Sequence, residues 1–336
     1  MAGEGASGVE PGMVSAAGVR RAAERLKGHA LVTPLLENES LNERAGGRVL
    51  MKAETLQHCG SFKFRGAYNL ISQLSPEQQK RGVLAWSSGN HAQGVARAAR
   101  MFGAPATIVM PADAPAIKAE KVKGYGAEII RYDRYRDDRE AIGRAIAAER
   151  GLALVPSYDH IDIIEGQGTL ALEAAAQAKE MGASLDVFVV CCGGGGITAG
   201  CALALEDVSP QTDVWIAEPE NFDEAWASVQ AGRRLVADVA KTTICDALAS
   251  PSPGLLTFPV MQRLVRGGAT LTEDEVGAAM AFAFKYLKLV LEPGGAVALA
   301  AVLAGKIETK GRTVGLTLSG GNVDAALFAK ILARCG

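Results

Sequence analysis

Val189-Val190-Cys191-Cys192-Gly193-Gly194-Gly195-Gly196-Ile197-Thr198-Ala199-Gly200 joins an apolar, β-branched run to an alanine-rich stretch through four consecutive glycines. The pattern predicts a strand, a tight turn and a helix. Residues without a Cβ leave the backbone N–H groups unencumbered, and the helix start adds its own unpaired N–H groups and the positive end of its dipole. The turn therefore reads as an anion cradle, most naturally for a phosphate. A glycine-rich turn with no ligand is the simpler alternative, but four glycines cost backbone entropy that such a turn does not require.

Outward from this turn the chain alternates between short β-rich runs, at 82–86, 106–110, 127–130, 186–190, 213–217 and 314–318, and alanine-rich helical patterns. Strands that alternate with helices and are apolar on both faces imply parallel sheets covered by helices. Near the N-terminus, SAAGVRRAAERLK at 15–27 suits an amphipathic helix, and Thr33-Pro34 then breaks into extended chain. The reading is an α/β protein of two lobes with a cleft between them, although no Pro- or Ser-rich linker marks the border.

The 336 residues carry a formal net charge of −2, with 49% hydrophobic and 21% charged positions, and the basic residues are scattered. That balance fits a soluble globular enzyme and gives no electrostatic footprint for nucleic acid or an anionic membrane. A small molecule is the expected partner. The richest apolar run, at 296–304, is too short to span a bilayer. The start, MAGEGASGVEPGMVS, lacks the basic and apolar segments of a secretory signal and reads as a flexible tail. Six cysteines, at 59, 191, 192, 201, 245 and 335, show no CxxC or Cys/His spacing, so reduced thiols in a cytoplasmic protein are expected.

Two further loops follow apolar strands. Trp86-Ser87-Ser88-Gly89-Asn90-His91-Ala92-Gln93-Gly94 offers hydroxyls, an amide and N–H groups for a carboxylate or a ring oxygen, and is equally readable as an elaborate N-cap. Leu316-Thr317-Leu318-Ser319-Gly320-Gly321-Asn322-Val323-Asp324 is the third such loop. Three loops at strand C-termini match the rule that open α/β sheets bind ligands there. Upstream, Cys59-Gly60-Ser61-Phe62-Lys63-Phe64-Arg65-Gly66-Ala67-Tyr68-Asn69 sets one lysine between two phenylalanines after a Gly-Ser corner. Lys63 is either a snorkelling surface lysine or an amine in a partly dry pocket, where desolvation leaves it neutral and able to form imines.

The phosphate compound at the glycine turn has two candidates. Gly194, Gly196 and Ala199 satisfy the dinucleotide pattern G-x-G-x-x-A, and Glu218 ends the next strand near the ribose position, which makes an NAD-type oxidoreductase a rival. The unbroken tetrad and the other motifs, which a dehydrogenase does not need, stand against it.

In this order, SFKFRGAYN (61–69), SSGNHAQG (87–94), the glycine tetrad and SGGN (319–322) resemble the serine/threonine dehydratase and serine racemase family of fold-type II pyridoxal phosphate enzymes, tryptophan synthase beta-like in architecture. The resemblance extends from Thr33-Pro34-Leu35 through Glu165-Gly166-Gln167-Gly168-Thr169 and Glu292-Pro293-Gly294-Gly295. It implies a large cofactor-binding lobe at 1–55 and 157–336 and a small lobe at 56–156 inserted in it. It also implies that Lys63 is the Schiff-base lysine, with Phe62 beside it. Gly193, Gly194, Gly195 and Gly196, followed by Ile197, would hold the phosphate; Asn90 would bond the ring hydroxyl, Ser319 would meet the pyridine nitrogen, and Glu292 would complete the cofactor site. A serine hydroxyl leaves that nitrogen unprotonated, a weaker electron sink that suits prompt loss of a β-leaving group. Ser87, Ser88, Asn90 and His91 would hold a substrate carboxylate, and Ser88 would stand on the face opposite Lys63.

The activity so implied is dehydration of L-threonine or L-serine, through an aminoacrylate, to a 2-oxo acid and ammonia. Serine racemase and 3-hydroxyaspartate dehydratase are the alternatives on the same scaffold. Arg139 or Arg136 would meet a distal carboxylate, unless the arginines of the 132–144 helical stretch simply face solvent. Glu218, Phe222 (through its carbonyl) and Glu224 resemble a Mg²⁺ or Ca²⁺ site, with Glu224 where Asp is common; a solvated acidic helix start is the alternative. A homodimer is implied as well. Cys59 stands where the family often has Thr, and a chain ending at Gly336 leads to the expectation of no regulatory domain.

Overall fold

The computed structural model describes residues 13–114, 116–133, 135–238 and 240–335; most of the expected N-terminal tail, at 1–12, lies outside them. Ten strands are present among these residues: β1 (Leu35–Glu37), β2 (Arg48–Lys52), β3 (Val83–Trp86), β4 (Ala106–Pro111), β5 (Glu128–Tyr132), β6 (Ala153–Leu154), β7 (Val187–Cys191), β8 (Asp213–Pro219), β9 (Val265–Leu271) and β10 (Thr313–Thr317). They form two sheets, ordered β1-β2-β10-β7-β8-β9 and β5-β4-β3-β6. Every pairing is parallel except β1 with β2, so helical crossovers must cover the sheet faces. The six expected strands each overlap one of these. The fold is the expected α/β architecture of helix-flanked parallel sheets.

Each sheet has its own core. Val187, Phe188, Val189 and Val190 of β7 are buried in the larger one, and Val83 and Ala85 of β3 in the smaller, together with Phe64, Ala67, Leu70 and Ile71 of the helix Lys63–Ile71. The N-terminal helix, Ala16–Leu26, starts where expected, with Ser15 accepting from the Gly18 N–H at 3.1 Å. The 132–144 stretch is not one helix: Tyr132 ends β5, and the helix Arg139–Arg150 begins only after Asp138, which caps it by accepting from Glu140 and Ala141.

One long helix, Ile161–Glu180, organises the cleft. Gly166 touches Gly66 of the Lys63–Ile71 helix, and Gly168 touches Gly200 of the helix Gly196–Val208; a Cβ at any of these positions would collide with the facing backbone or side chain. The close crossings dock the lysine helix and the glycine-turn helix on one support. Arg65, two residues past Lys63, locks the first crossing: its buried guanidinium donates to Glu54 (2.8 Å) and to Glu173 (2.7 and 2.9 Å). Lys52 joins the cluster through Glu173 at 2.6 Å. Two cations and two carboxylates thus balance in a site with little water.

Candidate active site

The C-terminal ends of β3, β7 and β10 open on a cavity of about 200 Å³. Lys63 and Phe62 line it, as do Ser87, Ser88, Asn90 and His91 from the loop after β3. Gly193, Gly194, Gly195, Gly196 and Ile197 line it after β7, and Ser319 after β10, with Glu292 beside them. Glu218, Phe222 and Glu224 do not.

Lys63 opens its helix directly after a corner in which Cys59 and Gly60 both take left-handed backbone angles, φ +63° and +71°. The Phe62 N–H donates to the Ser319 carbonyl at 3.1 Å, which pins the corner to the third loop. Lys63 Nζ donates to the Ser157 carbonyl at 2.7 Å and lies 5.1 Å from the centre of the Phe62 ring. Desolvation lowers its amine to about 8, against the opposing influence of Cys191 and Glu292. That is the dry-pocket lysine, not the snorkelling one.

The loop after β3 is not spent on capping. Gly89 is the N-cap of the helix Asn90–Met101 and no side chain caps it, while the Ser87 hydroxyl accepts from the Gly89 N–H at 3.2 Å. The Asn90 amide donates to Glu292 and its oxygen accepts from Asn322 at 2.9 Å. His91 is buried, with Nε2 bonded to the Val155 carbonyl at 2.7 Å; burial, then the nearby charge of Lys63, pushes it down to about 3. The ring is neutral, carries its proton on Nε2 and keeps Nδ1 as a bare acceptor. A carboxylate at His91 would therefore meet the backbone N–H at the helix start, not the ring.

At the glycine turn, Gly195 caps the helix Gly196–Val208 with φ +90°, and the Gly194 carbonyl accepts from Thr257 Oγ1 at 2.7 Å and the Gly254 N–H at 3.1 Å. The Tyr158 ring lies where a Cβ of Gly194 would have to go, and the Tyr158 Cβ and backbone lie where one of Gly196 would. Sequence reasoning missed Ser157 and Tyr158, which follow a two-residue strand too short to show a pattern.

Comparison with known proteins identifies this arrangement. Residues 26–320 match the family described as Pyridoxal-phosphate dependent enzyme. The chain belongs to that family. It is 43% identical over 314 residues to an L-threo-3-hydroxyaspartate ammonia-lyase of Pseudomonas sp, covering 94% of this chain and 97% of the relative. It is 40% identical over 316 residues to a serine racemase of Schizosaccharomyces pombe, covering 94% and 96%. The crystal structure of a threonine deaminase from T.th. superimposes with a TM-score of 0.87 at 41% identity, covering 92% of this chain and 99% of that one. The protein is thus a pyridoxal-phosphate enzyme of the lyase type, similar to ammonia-lyases and serine racemases.

The residues present fit pyridoxal phosphate. They supply an amine of lowered pKa, a turn with no room for a Cβ at a helix N-terminus, where N–H groups suit a phosphate dianion, and the Ser319 hydroxyl, 4% exposed, on the facing loop. The dinucleotide reading of Gly194, Gly196 and Ala199 does not stand in this family. Glu218, assigned there to a ribose, turns its oxygens to the backbone N–H groups of Ala225 (3.1 Å) and Trp226 (2.8 Å). Those contacts occupy Glu218, the first of the three residues, with Phe222 and Glu224, expected to hold a divalent cation. Burial pushes the Glu218 carboxyl well above the usual carboxylate range.

Proposed function

We propose that the protein is an ammonia-lyase that removes the β-hydroxyl of a small hydroxy-amino acid, releasing a 2-oxo acid and ammonia, with 3-hydroxyaspartate as its preferred substrate. The observation that carries the choice is Arg139, an exposed residue that lines the cavity holding Lys63. A β-carboxylate calls for a cation that a methyl group or a hydrogen does not. Glu140 and Asp246 share that rim, so a dicarboxylate is admitted only where Arg139 meets it. The activity in the name of the Pseudomonas relative supports the same choice. The preference thus moves from the L-threonine or L-serine of the sequence reading to its dicarboxylic alternative.

When bound, pyridoxal phosphate supplies an electrophilic carbon for exchange of amines and an electron-withdrawing ring that acidifies the substrate's α-hydrogen. In our reading the N–H groups of residues 194–197 hold the phosphate. Asn90, fixed between Glu292 and Asn322, bonds the ring hydroxyl, and Ser319 donates to the pyridine nitrogen. The substrate's α-carboxylate takes the N–H groups at the start of the helix Asn90–Met101 and the hydroxyls of Ser87 and Ser88. Lys63 Nζ, neutral in a growing share of molecules as pH approaches and passes about 8, removes the α-proton. Departure of the β-hydroxyl as water and hydrolysis of the remaining C–N bond give oxaloacetate and ammonia. Ser88, in the same cavity as Lys63, supports a second reading, return of a proton from the opposite face and formation of D-serine.

The small lobe is proposed at 56–156, which contains all of β3, β4, β5 and β6. Six free cysteines and the absence, among the described residues, of any helix long and apolar enough to cross a membrane support a cytoplasmic enzyme. A homodimer is proposed on the exposed apolar residues Leu31, Val32, Leu56, Phe284 and Val290. Gln57 bonds both backbone groups of Leu31, and Thr55 bonds the Val290 carbonyl, which ties these residues into one stretch of surface.

The test is production of 2-oxo acid and ammonia by cofactor-loaded enzyme from L-threo-3-hydroxyaspartate, L-threonine and L-serine, with and without a chelator of Mg²⁺ and Ca²⁺. The hydroxyaspartate should give the highest kcat/KM, and Arg139→Gln should lower that value about ten-fold or more. Faster turnover of L-threonine or L-serine by the native enzyme would refute the substrate choice.

A further inference from the structure

We infer that Trp86 is the positioning residue that sets Arg139 at the cavity, so that preference for a dicarboxylic over a neutral side chain depends on an indole that need not touch the distal carboxylate. The inference rests on the role proposed above for Arg139.

Side chains alternate along β3. Val83 and Ala85 enter the core shared with the Lys63 helix, whereas Leu84 and Trp86 face the other way, into a separate small core with Val109, Tyr132 and Ala147. The helix Arg139–Arg150 lies on that face. Its Gly143 rests on the indole: a Cβ there would stand 2.5 Å from Trp86 Cε3 and 3.2 Å from Leu84 Cδ2. The Arg144 guanidinium lies over the same ring, 5.6 Å from its centre. The indole therefore fixes both the height and the rotation of this part of the helix.

Arg139 stands four residues before Gly143, one turn along the same helix face, and helical side chains lean toward the N-terminus. The face seated on Trp86 thus continues into the arginine that lines the cavity, and Trp86 lines that cavity too. Helix stability does not explain the arginine. Arg139 is the first residue of the helix, where the positive end of the dipole disfavours a cation, and Asp138 already supplies the cap. Arginine at this position is accounted for by what it meets outside the helix. A tryptophan beneath the next turn, large and restricted to two side-chain torsions, is the means of holding it there.

Four variants test this with cofactor-loaded enzyme: Trp86→Ala, Gly143→Ala, Arg139→Gln and the Trp86→Ala/Arg139→Gln double variant. Gly143→Ala alters the seat without touching substrate. It should lower the ratio of kcat/KM for L-threo-3-hydroxyaspartate to that for L-serine about ten-fold, chiefly through KM, with the L-serine value itself changed less than about three-fold. Trp86→Ala should lower the ratio in the same way, and adding it to Arg139→Gln should lower it no further. Equal losses on both substrates, or additive losses in the double variant, would overturn the inference. Should native enzyme fail to turn over hydroxyaspartate, the proposed substrate is wrong, and the role of Trp86 is read from inhibitor binding instead. Succinate should then bind native enzyme more tightly than butyrate, its monocarboxylic counterpart, and Trp86→Ala and Gly143→Ala should each remove that preference. No preference in native enzyme, or a preference that survives both variants, overturns the inference as well.

Discussion

The base proposed here, Lys63, has an ammonium that has lost water without gaining, among the described residues, a full ion pair. Desolvation outweighs the attraction of Cys191 and Glu292, and the amine falls from its ordinary value to about 8. A neutral amine is the form that attacks a carbonyl, so the rate at which cofactor-free protein takes up pyridoxal phosphate should rise with pH through about 8, followed by absorbance after rapid mixing. A rate flat from pH 7 to 9 would contradict this. His91 is shifted in the same direction, and the consequence falls on stability. Its pKa is about 3 in the folded protein and ordinary when unfolded, so between roughly pH 6.5 and 3 the unfolded chain binds the extra proton. Stability should fall as pH drops through that window, with His91 contributing up to about 1.4 kcal/mol per pH unit, and urea denaturation of His91→Gln should show a shallower acid slope. At this scale the sequence reading reached Lys63 through the ordered motifs that resemble the family, since the flanking phenylalanines alone left a snorkelling lysine open. It did not reach Ser157 or Tyr158, since nothing within a few residues of them reports that their segment lines the cavity.

The helix Ile161–Glu180 carries the two elements that chemistry needs to be adjacent, and it does so by glycine crossings that leave no tolerance for side chains. The Arg65 cluster strengthens one of these crossings. Breaking a buried ion pair leaves an uncompensated charge, so Arg65→Met should cost about 3–5 kcal/mol in chemical denaturation. A loss below about 1 kcal/mol would mean that the cluster is solvated and does not anchor the Lys63 helix. Strands rich in Val and Ile were legible in the sequence, β7 and β8 above all. β1, β2, β6 and β9 were not. β6 is two residues long, and β9 contains Gly267 and Gly268, which read as a turn yet lie against the Trp215 and Trp226 rings, where a Cβ would collide. The helix expected at 132–144 failed for a related reason: the Asp138 cap sits within a run of charged residues that shows no break.

Across the whole molecule, two mostly parallel sheets aim their strand ends at a shared cavity, and that convergence was readable from three ordered loops before any contact was known. The border between lobes was less readable, because the Lys63–Ile71 helix is buried with the smaller sheet and also clamped to the long helix through Arg65. The exposed apolar stretch around Leu56 and Phe284 should be covered by a second copy. Native protein should sediment as a dimer, and Leu56→Asp/Phe284→Asp should shift it toward monomer; a native monomer at micromolar concentration would contradict the proposed assembly. The most direct test concerns the amine itself. Lys63 shares a pKa lowered by desolvation with the fully buried Lys52, whose Nζ is instead held by Glu173, Gln177 and the Thr33 carbonyl. Borohydride reduction of the cofactor-loaded enzyme, followed by digestion and mass spectrometry, should place the phosphopyridoxyl group on Lys63 and leave Lys63→Ala unlabelled. A label on Lys52 or any other lysine, or none on native enzyme, would contradict the assignment of the active site.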